Sequence, residues 1–82
     1  NMGKEQKIIE IISKVLKLEK KKIKKSLQIG QVPGWDSLSH INIFLELKKN
    51  FKFKTDMGGL AKIKSVNDWI NFLLKHDRNS KR

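Results

Sequence analysis

The sequence predicts an all-α fold: a four-helix bundle with a long loop between helices 1 and 2 and a short third helix. Two amphipathic segments near the middle and start of the chain, and a serine-initiated capping motif near its end, carry that prediction. The only strand-like alternation, Phe51 and Phe53, has no second strand in the sequence to pair with.

The first helix is read over Lys4 to Leu18. Ile8, Ile12, Val15 and Leu16 recur at helical spacing with Ile9 beside them, and Lys4, Lys7, Glu10, Lys14 and Lys17 fall largely on the other side. A long loop follows. Its charged opening, Glu19 to Lys25, holds one apolar residue, Ile23, as an anchor. Leu27, Ile29 and Val32 are expected to tack the rest onto the core. Pro33-Gly34 signals a turn, because proline fixes φ and glycine permits positive φ.

Asp36 is a suitable N-cap for a second helix, Ser37 to Lys49. Leu38, Ile41 and Leu45 form its expected apolar stripe with Lys48, and Ile43, Phe44 and Leu47 widen it. Ser39, His40, Asn42 and Glu46 are its polar members. Asp56 to Lys62 reads as a short third helix. Its adjacent Gly58 and Gly59 weaken it by roughly 2 kcal/mol relative to alanines, so a mobile or partly 3₁₀ segment is expected. Ser65 followed by Asp68 is a capping box for a fourth helix ending near Lys75, with Trp69 on its apolar face. The domain is expected over residues 3–75, followed by a polar, frayed tail over residues 76–82. Asn1, ahead of Met2, reads as a remnant foreign to the fold.

Length and charge bound the function. Eighty-two residues suit one small domain with a modest core. There is no cysteine, which excludes disulfides, cysteine nucleophiles and cysteine-ligated metals, and fits a cytoplasmic protein. No apolar run is long enough to span a bilayer. Nineteen Lys and Arg against eight Asp and Glu give a formal net charge of +11. Such a charge attracts nucleic acid, anionic lipid or an acidic protein surface alike. The segment Lys20 to Lys25 has a nucleic-acid reading, but no aromatic residue is interleaved to stack on bases, and a solvated loop explains it better. A basic helical module binding nucleic acid or an acidic surface is therefore the alternative function.

The chemical centre of interest is Trp35-Asp36-Ser37-Leu38. A serine that opens a helix after a long loop is accessible, and the positive end of the helix dipole favours a phosphate attached there. Taken alone, the tetrapeptide favours a plain helix start, since aspartate and serine are ordinary capping residues. His40, one turn on, has a general-base reading that lacks an orienting acid, so a surface position near Ser37 is expected instead. Trp35 is expected to pack over the loop or contact a group on Ser37. His40 and His76 cannot complete a metal site between them.

From about Lys7 to Leu74 the sequence resembles the acyl carrier protein family. Asp36-Ser37-Leu38 matches the family's signature at the start of its second helix. Ile23 and Ile29 match apolar anchors of its first loop, Glu46-Leu47 and Phe51 the end of its second helix, and Ala61-Lys62-Ile63 with Ser65-Val66 the third helix and the start of the fourth. The resemblance implies a carrier without enzyme activity of its own. Ser37, flanked by Asp36 and Leu38, would receive 4′-phosphopantetheine from coenzyme A through a magnesium-dependent phosphopantetheinyl transferase. The arm would hold acyl or aminoacyl groups as thioesters, in lipid or polyketide biosynthesis or another specialised pathway. Ile41, Leu45, Phe53, Leu60 and Ile63 are the expected lining of an acyl-chain opening bordered by Met57 and Leu60, and are equally core residues. The chain departs from the family in charge: over Ser37 to Asn50 it has one acid, Glu46, against Lys48 and Lys49. Loading and acyl-transfer partners with neutral or acidic docking faces, and a monomeric carrier, are the resulting expectations.

Overall fold

The computed structural model describes residues 2–78. Helix α1 spans Met2–Leu16 and turns Ile8, Ile11, Ile12 and Leu16 into the core. It stops two residues short of the expected end. Lys17 adopts φ 60°, and the amide of Leu18 donates to the carbonyl of Ser13 at 3.0 Å. That is the left-handed C-terminal cap usually given to glycine, here on an exposed lysine.

A 3₁₀ turn, Lys20–Lys22, then presents Ile23 to the core at 4% exposure. Leu27, Ile29 and Val32 pack, half-buried, against the same core. The loop is also tied by its backbone to the segment before the last helix. Ile29 donates its amide to Lys64 (2.8 Å), Val66 to Leu27 (3.0 Å) and Asn67 to Lys25 (2.9 Å). These bonds form an isolated antiparallel bridge at Gln28 and Ser65, and no strand occurs among the described residues. They satisfy backbone groups that a loop pressed onto a core would otherwise leave unpaired. Gly30, at φ 92°, lets the chain reverse so that its amide reaches the Trp35 carbonyl at 2.8 Å.

Helix α2, Ser37–Asn50, buries His40, Ile43 and Leu47. The sequence-based stripe of Leu38, Ile41 and Leu45 faces outward instead, at 68%, 38% and 50% exposure. Apolar residues surround this helix, so periodicity alone leaves its inward face open. Helix α3, Met57–Lys62, is α-helical rather than 3₁₀. The Asp56 carboxylate accepts from the amide of Gly59 at 2.8 Å, and burial of Leu60 and Ile63 offsets the glycine cost.

Helix α4, Val66–His76, buries Val66, Trp69, Ile70 and Leu73. Ser65 Oγ accepts from the amide of Asp68 at 3.0 Å, while Asp68 accepts from the amide of Lys64 at 2.9 Å, one residue before the cap. The capping box thus braces the α3–α4 link as well as the helix start. Phe53 sits at the centre of an aromatic cluster, edge-on to Phe44, Trp69 and Phe72.

The polar segment after Lys75 is not frayed at its start. His76 completes α4 and packs on Phe72 at 4.6 Å between ring centroids. Asp77 is buried, pairs with Lys4 at 3.1 Å and accepts from the amide of Lys52 at 2.7 Å. Arg78 donates its amide to the Lys52 carbonyl. The remainder of the expected tail, residues 79–82, and Asn1 lie outside the described residues.

Candidate functional site

The site is assembled at the junction of the long loop with α2. Asp36 is extended and caps the helix: its carboxylate accepts from the amide of Ser39 at 3.0 Å. That hydrogen bond holds the Asp36 pKa below its ordinary value, so the cap stays ionised at the positive end of the helix dipole. Ser37 is the first helical residue and is exposed. Leu38 follows it, the most exposed large apolar residue of α2.

Beside Ser37 a cleft of about 320 Å³ opens between α2 and α3. Its walls are mainly apolar: Ile29 from the loop, Ile41 from α2, Met57, Leu60 and Ala61 from α3, and Ile63 and Lys64 just after it. Ser37 and His40 complete the lining from α2. Of the expected lining residues, Ile41, Leu60 and Ile63 belong to this cleft, with Met57 beside them. Leu45 instead faces a separate groove between α1 and α2, with Ile11 and Val15. Phe53 is not in the lining, and at 3% exposure it is a core residue.

His40 departs most from the sequence-based expectation. It is not a surface residue but is buried, at 7% exposure. Its ring lies between Trp35 and Trp69, with both centroid separations 6.0 Å. Trp35 Nε1 donates to His40 Nδ1 at 3.1 Å. Trp35 is also a core residue rather than a cover for the loop, at 1% exposure. The indole N–H can only donate, so Nδ1 must accept and the neutral ring carries its proton on Nε2. Nε2 is buried and has no partner among the described residues. No hydrogen bond joins Ser37 to His40, so the pair does not form a nucleophile and base. The signal in the sequence was present but weak: His40 lies three residues after Ser37, on a shared helix face.

No cluster of three or more His, Asp or Glu side chains suited to a metal occurs among the described residues. No helix among them is long and apolar enough to cross a membrane.

A helical bundle whose second helix opens on an exposed serine beside an apolar cleft has the build of a small carrier module. Comparison with known proteins agrees. The chain is 33% identical over 72 residues to the acyl carrier protein of Rickettsia bellii (strain OSU 85-389), covering 88% of this chain and 89% of that one. It is 28% identical over 74 residues to the acyl carrier protein of Phytoplasma mali (strain AT), covering 90% and 88% respectively. No family model matches the chain. The chain belongs to the acyl carrier protein family. It is accordingly a carrier and not an enzyme, and acyl-handling enzymes are its general class of partner.

Proposed function

We propose that Ser37 is the attachment point of 4′-phosphopantetheine and that this chain carries acyl or aminoacyl groups between partner enzymes. The observation that carries the reading is the position of Ser37. It is exposed, first in α2, one residue after the Asp36 cap and on the rim of the apolar cleft. The residues present fit the group. An exposed hydroxyl can enter a transferase, the helix start favours the phosphodiester charge, and the cleft offers apolar shelter nearby.

In attachment, the Ser37 Oγ–phosphorus bond forms as the pyrophosphate bond of coenzyme A breaks. Adenosine 3′,5′-bisphosphate leaves with the electron pair, and the serine proton passes to a base of the transferase. When bound, the arm supplies the thiol that this cysteine-free chain lacks. Asp36 holds the first turn in place, and Leu38 offers the transferase an apolar contact next to the reacting hydroxyl.

The α2 face around Ser37 carries exposed Leu38, Ile41 and Leu45, and its one acid, Glu46, is already paired with Lys49 at 3.1 Å. That face suits partners with neutral or acidic docking surfaces in a specialised biosynthetic pathway. The same reading has the chain act as a cytoplasmic monomer with a single domain, expected over residues 3–75 and carried further by the contacts of Asp77 and Arg78 with Lys4 and Lys52. The aromatic residues are buried or half-buried and none stands among the lysines of the 3₁₀ turn, which leaves a nucleic-acid reading without a stacking platform.

The test is intact-mass spectrometry after incubation with coenzyme A, magnesium and a broad-specificity phosphopantetheinyl transferase. One phosphopantetheine is expected on the wild type and none on Ser37→Ala. No mass gain with several such transferases would sink the reading.

A further inference from the structure

Four cations converge near the C-terminal end of α2, roughly 16 Å along the helix from Ser37. Lys48, Lys52, Lys54 and Arg78 surround a hollow of about 380 Å³ with Phe53 in its wall, and no acid lines it. The groove between α1 and α2 differs, because there Glu10 pairs with Lys14 and Glu46 with Lys49. Lys48 lies in the last turn of α2, and Lys52 and Lys54 are exposed on either side of buried Phe53. Arg78 is brought to them by the end of α4, where its amide donates to the Lys52 carbonyl. The cluster is partly held in place. Lys48 Nζ donates to the Phe53 carbonyl at 3.0 Å and lies 5.4 Å from the Phe53 ring centroid, which leaves two of its N–H donors for another group. Asp77, next to Arg78 in the chain, is buried and directs its carboxylate to Lys4 and the Lys52 amide. Among the described residues no carboxylate pairs with the side chains of Lys48, Lys52, Lys54 or Arg78.

We propose that this hollow binds a compact polyphosphate anion, a diphosphate group either free or carried on a nucleotide. The site is separate from Ser37, and the inference does not depend on the attachment reading. Like charges gathered around one recess repel each other, so an anion between them removes a cost that the fold otherwise bears. The partial negative charge of the helix end, about half an elementary charge, is small against four cations. One phosphate brings only about −1.5 to −2 at neutral pH, so two linked phosphates match the cluster better. Phosphate oxygens accept from ammonium groups and from the fork of a guanidinium alike. A recess of this size suits a small anion, whereas an acidic protein or a lipid surface calls for a broad, flat basic face.

The test is a ¹H–¹⁵N titration of the full chain with pyrophosphate, and in a second arm with ADP, at an ionic strength held constant with sodium chloride. Saturable shifts are expected at the amides of Lys52, Phe53, Lys54 and Arg78 and not at those of Ser37 and Leu38. Pyrophosphate should also raise the melting temperature. Lys52→Gln combined with Lys54→Gln changes only exposed side chains and should weaken binding by about tenfold, as the loss of charge-assisted hydrogen bonds does. Lys20→Gln combined with Lys22→Gln removes the same charge from the 3₁₀ turn and should leave binding unchanged. Equal affinity in the two arms would assign the site to the diphosphate group itself, and tighter binding of ADP would assign it to a nucleotide. Shifts that do not saturate, or an equal loss in both double variants, would overturn the inference by reducing it to the general attraction of a +11 chain. Binding to vesicles of anionic lipid or to an acidic peptide, with no response to either diphosphate, would overturn it too. The attachment reading is unaffected by any of these results, since intact mass decides it.

Discussion

Trp35 and His40 form a hydrogen-bonded pair, 3.1 Å from Nε1 to Nδ1, that straddles the Asp36 cap and joins the end of the long loop to the first turn of α2. Both side chains are buried. The carboxylate cap faces solvent and the indole–imidazole bond lies beneath it, so Ser37 is presented on a turn held from both sides.

Trp35→Phe should therefore destabilise the fold by about 1–3 kcal/mol, because it strands His40 Nδ1 in the interior and leaves part of the indole volume empty. Urea denaturation would measure it. A loss within experimental error would mean that the pair is incidental.

Asp36 controls how acid affects the same turn. Its folded pKa is depressed by the Ser39 amide, so its stabilisation is fully present above its ordinary value of 3.8 and is lost as pH falls through the lower folded value. Asp36→Asn keeps an acceptor but no charge. Thermal melts across the acid range should show the wild-type advantage over Asp36→Asn shrinking as the carboxylate protonates. An advantage that is independent of pH would contradict the cap's charge dependence.

Asp77 ties the end of α4 to α1 and to the segment before α3. With its side chain 2% exposed and paired with Lys4, Asp77→Ala removes a charged partner and leaves the Lys52 amide without its acceptor. A loss of about 2–4 kcal/mol is expected in chemical denaturation. Truncation after His76 removes the same contacts and should cost a similar amount.

Leu38 separates docking from folding. At 68% exposure its replacement by alanine should change stability by less than about 0.5 kcal/mol. If it is an apolar contact for the transferase, phosphopantetheine transfer should slow by up to about tenfold, equivalent to about 1.4 kcal/mol. Initial rates followed by intact mass would test this, and an unchanged rate would remove Leu38 from the docking face.

The sequence by itself determined the four helices, the Asp36 and Ser65 caps, the Ile23 anchor and the place of Ser37 at the start of α2. Each of these is a local property: apolar spacing, or a side chain that can reach an amide two or three residues away. It also carried the family resemblance, through motifs spread along most of the chain. Only the tertiary structure decided which face of α2 turns inward. Leu38, Ile41 and Leu45 form as good a stripe as Ile43 and Leu47, and the choice depends on neighbours distant in sequence. The Trp35–Trp69 environment selects the face that carries His40, because there alone the imidazole gains a hydrogen bond and two aromatic contacts. The burial of Asp77 was hidden for the same reason, since its partners Lys4 and Lys52 are far away along the chain. A polar residue looks solvent-facing in a sequence until the fold supplies its partner.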